Sequence, residues 1–147
     1  MSDAKPRILG LDIGDARIGV AISDPLHLTA AGIVAVHRVN MAKDLEAIRK
    51  IAEENEAVEI VIGFPFNMDG SAGSQAEKVK SFGRKLERKT RLTITYQDER
   101  LTTFGAINDL VEVGIKTGQN RDLVDIQSAA IILQRYLDKK EERPPSV

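Results

Sequence analysis

Five short segments rich in branched apolar residues constrain the fold of this chain more than any other feature of its sequence. The first is almost continuously apolar and is bounded by Pro6 and Gly14, a pattern typical of a strand buried on both faces. The second and third follow so closely that the three can form an antiparallel meander. The predicted strands are residues 8–13, 18–22, 33–36, 58–64 and 92–96.

Helical patterns fill much of the remaining chain. Asn40 is a good N-cap residue, and apolar residues recur at helical spacing after it. Ser74 and Glu77 have the form of a capping box that begins a second helix. The predicted helices begin at Asn40, at Ser74, at Thr102 or Thr103, and after Arg121.

These elements follow one another as three strands, then helix, strand, helix, strand and two helices. Their order predicts an α/β fold in which a mixed five-stranded sheet is flanked by helices. The first, fourth and fifth strands are expected to be parallel, so their carboxyl ends meet at one edge of the sheet. In open α/β sheets that edge is where ligands bind.

The chain has 147 residues, enough for one domain with a substantial core. We expect a single domain over residues 1–137 and a charged, proline-rich tail over 138–147 that is solvated and poorly ordered. Cysteine is absent from the sequence, which excludes disulfides, thiolate zinc sites, iron–sulfur clusters and cysteine nucleophiles. Neither a membrane span nor a secretory signal is recognisable, so we expect a cytoplasmic protein.

Acidic residues occur where three of the predicted elements approach the ligand-binding edge. Asp12 interrupts the first apolar strand, Asp98 and Glu99 follow the fifth strand, and Asp125 lies on the sheet-facing flank of the last helix. Taken singly, Asp12 is explained by a turn cap and Asp125 by the helix dipole. Together, such acids raise one another's pKa unless a cation lies between them. This favours a site for Mg²⁺, or Mn²⁺, bound by carboxylate oxygens.

Basic residues near these acids are candidate contacts for phosphate groups. The formal net charge is −1, so a polyanion would have to be held by local cations. The candidates are Arg17 after the tight turn at 14–16, Arg100 and Arg121 beside the acids, and Lys116 in a glycine-flanked loop. A salt bridge to the carboxylates is an equally good use of Arg100 or Arg121.

Two other segments allow both a structural and a functional interpretation. The glycine-rich residues 70–73 precede a helix start, where backbone amides can bind a phosphate group. The segment 78–91 is strongly basic and is either a solvated helix face or a contact for a nucleic-acid backbone. His27 and His37 show no ligand spacing and no partner, so no role is predicted for them.

Four separated motifs occur in a fixed order: LDIG at 11–14 with RIGVA at 17–21, GFP at 63–65, DERLTT at 98–103 and DIQSAA at 125–130. Together they resemble the YqgF (RuvX) family over residues 7–137. The resemblance implies a ribonuclease H-like fold, similar to Holliday-junction resolvases of the RuvC type. It also implies a nuclease that acts on the 5′ end of precursor 16S ribosomal RNA, with Asp12, Glu99 and Asp125 as catalytic triad and metal ligands.

We therefore expect a metal-dependent endonuclease that hydrolyses nucleic-acid phosphodiesters, with structured RNA, including precursor ribosomal RNA, as its partner. Branched DNA is the alternative substrate, as for a Holliday-junction-type resolvase. A non-catalytic RNA-binding factor in ribosome assembly is another alternative. The Asp-x-Gly pattern at 12–14 also occurs in actin-like and sugar-kinase ATPases, but those folds need two such domains and this chain has room for one.

Overall fold

The computed structural model describes residues 6–65, 73–99 and 121–142. The strands are β1 (Arg7–Ile13), β2 (Arg17–Ser23), β3 (Ala30–His37), β4 (Ala57–Phe64) and β5 (Thr93–Asp98). The helices are α1 (Met41–Glu54), α2 (Ser74–Thr90) and α3 (Arg121–Glu142). None of the described helices is both long and apolar enough to cross a membrane. The helix predicted after Thr102 or Thr103 lies outside the described residues.

The strands form one sheet in the order β3-β2-β1-β4-β5. β2 pairs antiparallel with both β1 and β3, so the predicted meander is confirmed. β4 pairs parallel with both β1 and β5. The mixed sheet is therefore as predicted, and the carboxyl ends of β1, β4 and β5 meet at one edge, which we call the carboxyl edge.

The two faces of the sheet are covered by different helices. α1 and α2 pack on one face around large side chains, among them Leu11, Ile18, Ile48, Phe82 and Leu86. α3 packs on the other face around Ile8, Ala21, Val61, Ala129, Ala130, Ile132, Leu133 and Leu137. Because successive strand residues alternate between faces, Asp12 lies on the same face as Ile8, which is the α3 face.

Glycine in the strands lets α3 approach the sheet closely. A Cβ built at Gly10 would stand 2.7 Å from Cβ of Leu133, closer than packed carbon atoms approach one another. A Cβ at Gly19 would collide with the backbone carbonyl of Asp125. These two glycines therefore allow a separation of helix and sheet that no larger residue would permit.

The helix starts agree with the sequence pattern at α1 and depart from it at α2. Asn40 is the N-cap of α1, and its Oδ1 accepts a hydrogen bond from the backbone N–H of Lys43 at 2.9 Å. The predicted capping box of Ser74 and Glu77 is wrong. Gly73 is the N-cap, with an extended backbone and no side chain to bond, so Ser74 is already the first helical residue.

Two strand boundaries lie beyond the predicted ones. β3 begins at Ala30 rather than at residue 33, because its ladder with β2 extends as far as Ser23. β5 includes Asp98, which pairs with Phe64 of β4. Of the two acids predicted to follow this strand, only Glu99 does so.

The carboxyl-terminal helix is longer than the sequence pattern predicts. α3 continues to Glu142, so the tail expected from residue 138 begins inside a helix. Lysine and glutamate are good helix formers, which accounts for a helix that continues past residue 138. The side chains of residues 138–140 are exposed, as expected for a solvated segment.

Candidate active site

Asp12 lies half-buried at the carboxyl edge, one residue before the end of β1. Its partner across the antiparallel ladder is Gly19 of β2. On the other side Leu11 pairs with Ile62 of β4, so Gly63 adjoins Asp12. A carboxylate flanked by two glycines has space beside it for groups from other parts of the chain.

Asp125 reaches the same edge from the first turns of α3. Its backbone lies directly over Gly19, the ladder partner of Asp12, at a distance that excludes any side chain at that position. The Asp125 side chain is 21% exposed, so it lies on the sheet-facing flank of the helix, as its spacing predicted. The helix thus presents a second carboxylate close to the end of β1.

Glu99 is the first residue after β5. Its backbone N–H donates to the carbonyl of Phe64 at 3.2 Å, which continues the ladder between β4 and β5 by one bond. A Cβ built at Gly63 would lie 3.0 Å from Oε2 of Glu99, so this carboxylate extends over the end of β4. Glycine beside Asp12 therefore makes room for Glu99 on one side and for Asp125 on the other.

The three carboxylates influence one another electrostatically. Burial, and after it the negative charges of Glu99 and Asp125, together raise the pKa of Asp12 from 3.8 to about 7. At neutral pH a substantial fraction of Asp12 is therefore protonated when no cation is near. A divalent cation would reverse this effect, because it favours the ionised form.

Arg17 joins β2 to the first turn of α3. Its Nε donates to Oδ2 of Asp125 at 2.5 Å and lies 3.8 Å from Oδ1 of Asp122. His37, the ladder partner of Arg17, places Nε2 2.9 Å from Oδ2 of Asp122. The expectation that His37 has no partner is therefore wrong, and so is the same expectation for His27, whose Nε2 lies 2.5 Å from the carbonyl of Pro6.

A buried ion pair behind the β1–β2 turn was not predicted from the sequence. Asp44 of α1 is 2% exposed and accepts from Nε of Arg38 at 3.0 Å and from the backbone N–H of Val39 at 2.9 Å. Arg38 also donates to the carbonyl of Gly14 at 2.9 Å and lies over the ring of Phe82. This pair ties the turn that follows Asp12 to both helices of the opposite face.

Of the remaining predicted phosphate contacts, the structure describes only Arg121, the basic segment and part of the glycine-rich segment. Arg121 is the first residue of α3 and is exposed. Arg100 and Lys116 lie outside the described residues, as do residues 70–72 of the glycine-rich segment. In the basic segment, Lys78 lies 3.5 Å from Oδ1 of Asp15 in the β1–β2 turn, which brings the start of α2 to the carboxyl edge.

The donor chemistry of this edge suits a hard divalent cation. Asp12, Glu99 and Asp125 offer carboxylate oxygens, and their mutual repulsion is what such an ion relieves. Asp125 already binds a cationic group, the guanidinium of Arg17. In the part of the chain that the structure describes, no three acidic or histidine side chains are arranged so that they could hold a metal ion together. The residue types fit the metal, whereas their spacing in this conformation requires a rearrangement.

Comparison with known proteins gives matches over most of the chain. The sequence matches the profile of the RuvX family, described as Holliday junction resolvase, over residues 6–139. A relative from Carboxydothermus hydrogenoformans, named "Putative pre-16S rRNA nuclease", is 43% identical over 136 residues, which are 92% of this chain and 99% of the relative. A relative of the same name from Moorella thermoacetica is 44% identical over 133 residues, 90% of this chain and 95% of the relative.

Solved structures confirm the predicted ribonuclease H-like class. RuvC from T. thermophilus, in complex with a Holliday junction substrate, has a TM-score of 0.58 at 9% identity, covering 93% of this chain and 96% of that one. The Holliday junction resolvase of fowlpox virus has a TM-score of 0.56 at 14% identity, covering 91% and 99%. At these identities the likeness concerns the fold alone, but the profile and the relatives span most of the sequence. The chain belongs to the RuvX family.

Proposed function

We propose that this protein is a divalent-metal-dependent endonuclease that hydrolyses phosphodiester bonds at the 5′ end of precursor 16S ribosomal RNA. One observation carries the proposal: three separate elements direct Asp12, Glu99 and Asp125 to one edge, two of them through glycines that leave space for no side chain. The family and the names of the relatives support the reaction class. This substrate and the absence of cysteine favour the cytoplasm as its location.

In this proposal the three acidic residues bind Mg²⁺ or Mn²⁺. When bound, such an ion supplies Lewis-acid stabilisation of charge on the phosphate and lowers the pKa of an attacking water. Asp12 would hold the ion from the end of the central strand β1, and Asp125 and Glu99 would complete the ligand set from flanking elements. Because the reaction is a direct hydrolysis, none of the side chains has to form a covalent intermediate.

In this proposal the basic residues near the acids bind the phosphate groups of the substrate backbone. Arg17 and Arg121 lie at the amino-terminal end of α3, where phosphate oxygens also meet the positive end of the helix dipole. Arg100 and Lys116 remain predicted contacts from the sequence alone. Local cations are required, since the chain as a whole carries a formal charge of −1.

A cleavage assay with two substrates tests this proposal. A transcript containing the leader and 5′ end of 16S RNA and a four-way DNA junction are incubated separately with Mg²⁺ or Mn²⁺. We expect the native protein to cut the RNA, and Asp12→Asn to reduce cleavage to the level of a buffer blank. Asp15→Asn is the matched control, because it removes an exposed carboxylate from the adjacent turn, and it should retain cleavage.

Each result has a definite meaning. Faster cleavage of the junction than of the RNA would replace the ribosomal substrate with branched DNA, which agrees with the description of the family. RNA binding without cleavage of either substrate would favour the non-catalytic assembly factor. Cleavage that survives both Asp12→Asn and EDTA would contradict the metal site.

A further inference from the structure

The Arg17 guanidinium holds one carboxylate oxygen of Asp125, a residue of the candidate site. Nε lies 2.5 Å from Oδ2, and the two side chains are 20% and 21% exposed. This is a charge-assisted contact in a partly desolvated position, which is stronger than an exposed surface pair. Asp125 therefore has a bound cationic partner that belongs to the protein itself.

In the conformation in which Arg17 holds Asp125, the described acids are not arranged to share a metal ion. No suitable group of three acidic or histidine side chains occurs among residues 6–65, 73–99 and 121–142. Yet Asp125 is near enough to Asp12 for its negative charge to raise the pKa of Asp12. The two cations would compete for one carboxylate, because the oxygen that accepts from Arg17 is no longer available in full to a metal.

We propose that Arg17 and the divalent cation are alternative partners of Asp125, so that Arg17 leaves this carboxylate when the metal binds and is then available to a substrate phosphate. The inference rests on the metal site of the proposed function and adds to it a direct link between metal loading and substrate binding. By reciprocity, a phosphate that holds Arg17 would also favour metal binding.

The surroundings of Arg17 make such an exchange feasible. Asp122 lies one helical turn before Asp125 and already stands 3.8 Å from Nε, so the guanidinium has a second anion within a small movement. The fork of five N–H donors can bind a phosphate in two places at once. Arg17 is anchored on β2, so only its side chain needs to move.

Metal binding to the full-length protein tests the exchange without relying on activity. Mn²⁺ is titrated by calorimetry into the native protein, Arg17→Gln, Arg17→Lys and Lys78→Gln. We expect Arg17→Gln to bind Mn²⁺ about tenfold more tightly, the factor expected when one charge-assisted hydrogen bond no longer competes. Lys78→Gln removes the same charge near the same edge without contacting Asp125, and its affinity should stay within about twofold of native.

A second measurement follows the guanidinium directly. In ¹⁵N-labelled protein, the Nε–Hε resonance of Arg17 is assigned by its absence from the spectrum of Arg17→Gln. Addition of Mg²⁺ should move this resonance and increase its exchange with solvent, because the hydrogen bond to Asp125 is lost. Arg17→Lys keeps the charge and should bind Mn²⁺ with an affinity between those of the native protein and Arg17→Gln.

The outcomes separate this inference from the function on which it rests. Equal or weaker Mn²⁺ binding by Arg17→Gln, or an unchanged Arg17 resonance at saturating Mg²⁺, would overturn the exchange and would make Arg17 a fixed support of Asp125. Mn²⁺ binding that is lost in Asp12→Asn would still uphold the metal site in that case. If neither the native protein nor Arg17→Gln binds Mn²⁺, the metal site fails and the exchange fails with it.

Discussion

The two faces of the sheet differ in the size of the strand and helix residues that pack between the layers. On the face covered by α1 and α2, large side chains such as Phe82 and Leu86 fill the space between helices and strands. On the α3 face, Gly10 and Gly19 reduce that space until the helix backbone nearly touches the strands. Both faces bury apolar side chains, but on the α3 face the glycines also bring the helix backbone close to the strands.

This difference explains why the acids lie where they do. A helix held at the usual distance by large side chains would keep Asp125 away from Asp12. Because Gly19 lies opposite Asp12 in the ladder, the closest approach of α3 occurs beside the first carboxylate. Substitutions on the α1 and α2 face can therefore lower stability without moving Asp125, whereas a substitution at Gly19 is expected to change both stability and the site.

The largest expected effect on stability belongs to the α1 and α2 face. Leu86→Ala removes a fully buried side chain and should lower the free energy of unfolding by about 2 to 5 kcal/mol. Urea denaturation measures this loss. Mn²⁺ affinity, measured where the variant is folded, should be unchanged, since Leu86 faces away from α3. A parallel fall in metal affinity would show that the two faces are not independent.

A second effect comes from the ionisation of Asp12. Its folded-state pKa of about 7 exceeds the ordinary 3.8, so the folded protein holds the Asp12 proton more tightly than the unfolded chain does. The resulting contribution to the free energy of unfolding is complete below about pH 4 and is lost as the pH rises through 7. The difference between these two pKa values corresponds to at most roughly 4 kcal/mol in the free energy of unfolding. In EDTA, the native protein should therefore be less stable at pH 8 than at pH 5, and Asp12→Asn should lose less stability over this interval. Added Mn²⁺ at pH 8 should restore the native protein and not the variant.

A smaller change in stability with a larger change in function is expected at Gly19. Gly19→Ala places a methyl group against the backbone of Asp125 and should cost about 1 to 3 kcal/mol, because α3 must shift. Mn²⁺ affinity and cleavage should fall together. Gly83→Ala is the control, since the atoms nearest to its methyl group would be those at the end of the Tyr96 side chain on the other face. Equal loss of metal affinity in both variants would refute the close-approach argument.

Local patterns in the sequence were sufficient for the framework of this fold. The parallel arrangement of β1, β4 and β5, the Asn40 cap and the sheet-facing flank of Asp125 each follow from spacing within one element or from element order. Apart from shifted element ends, the departure was the start of α2, where Gly73 takes the N-cap position without contributing a side chain. A capping motif of side chains cannot reveal a cap that consists only of backbone.

The contacts around the acids could not be predicted because they join distant positions. Arg17 and Asp125 are 108 residues apart, and the sequence offered salt bridges to the carboxylates only for Arg100 and Arg121. His37 meets Asp122 across 85 residues for the same reason. One signal was available: glycine inside a buried strand, as at Gly19, indicates close approach by another backbone.

The smallest expected effect is a change in the salt dependence of RNA binding, and it distinguishes the two ends of α2, which contains most of the basic segment 78–91. Lys78 is near the carboxyl edge, whereas Arg88 lies ten residues, or about 15 Å, further along α2. Beside Arg88, Lys89 already lies 3.3 Å from Oε1 of Glu46 on α1. The amino-terminal end of this helix is therefore the part that can follow a substrate bound at the acids.

Salt-dependent RNA binding tests this division, with Asp12→Asn as the background so that the RNA stays intact. Lys78→Gln should lower the slope of log affinity against log salt by about 0.7, the contribution of one phosphate contact on a single strand. The pair Lys85→Glu and Arg88→Glu should leave the slope unchanged, although it reverses two charges. If the pair lowers the slope and Lys78→Gln does not, the RNA crosses the α1 and α2 face, and the division of labour between the faces is wrong for substrate binding.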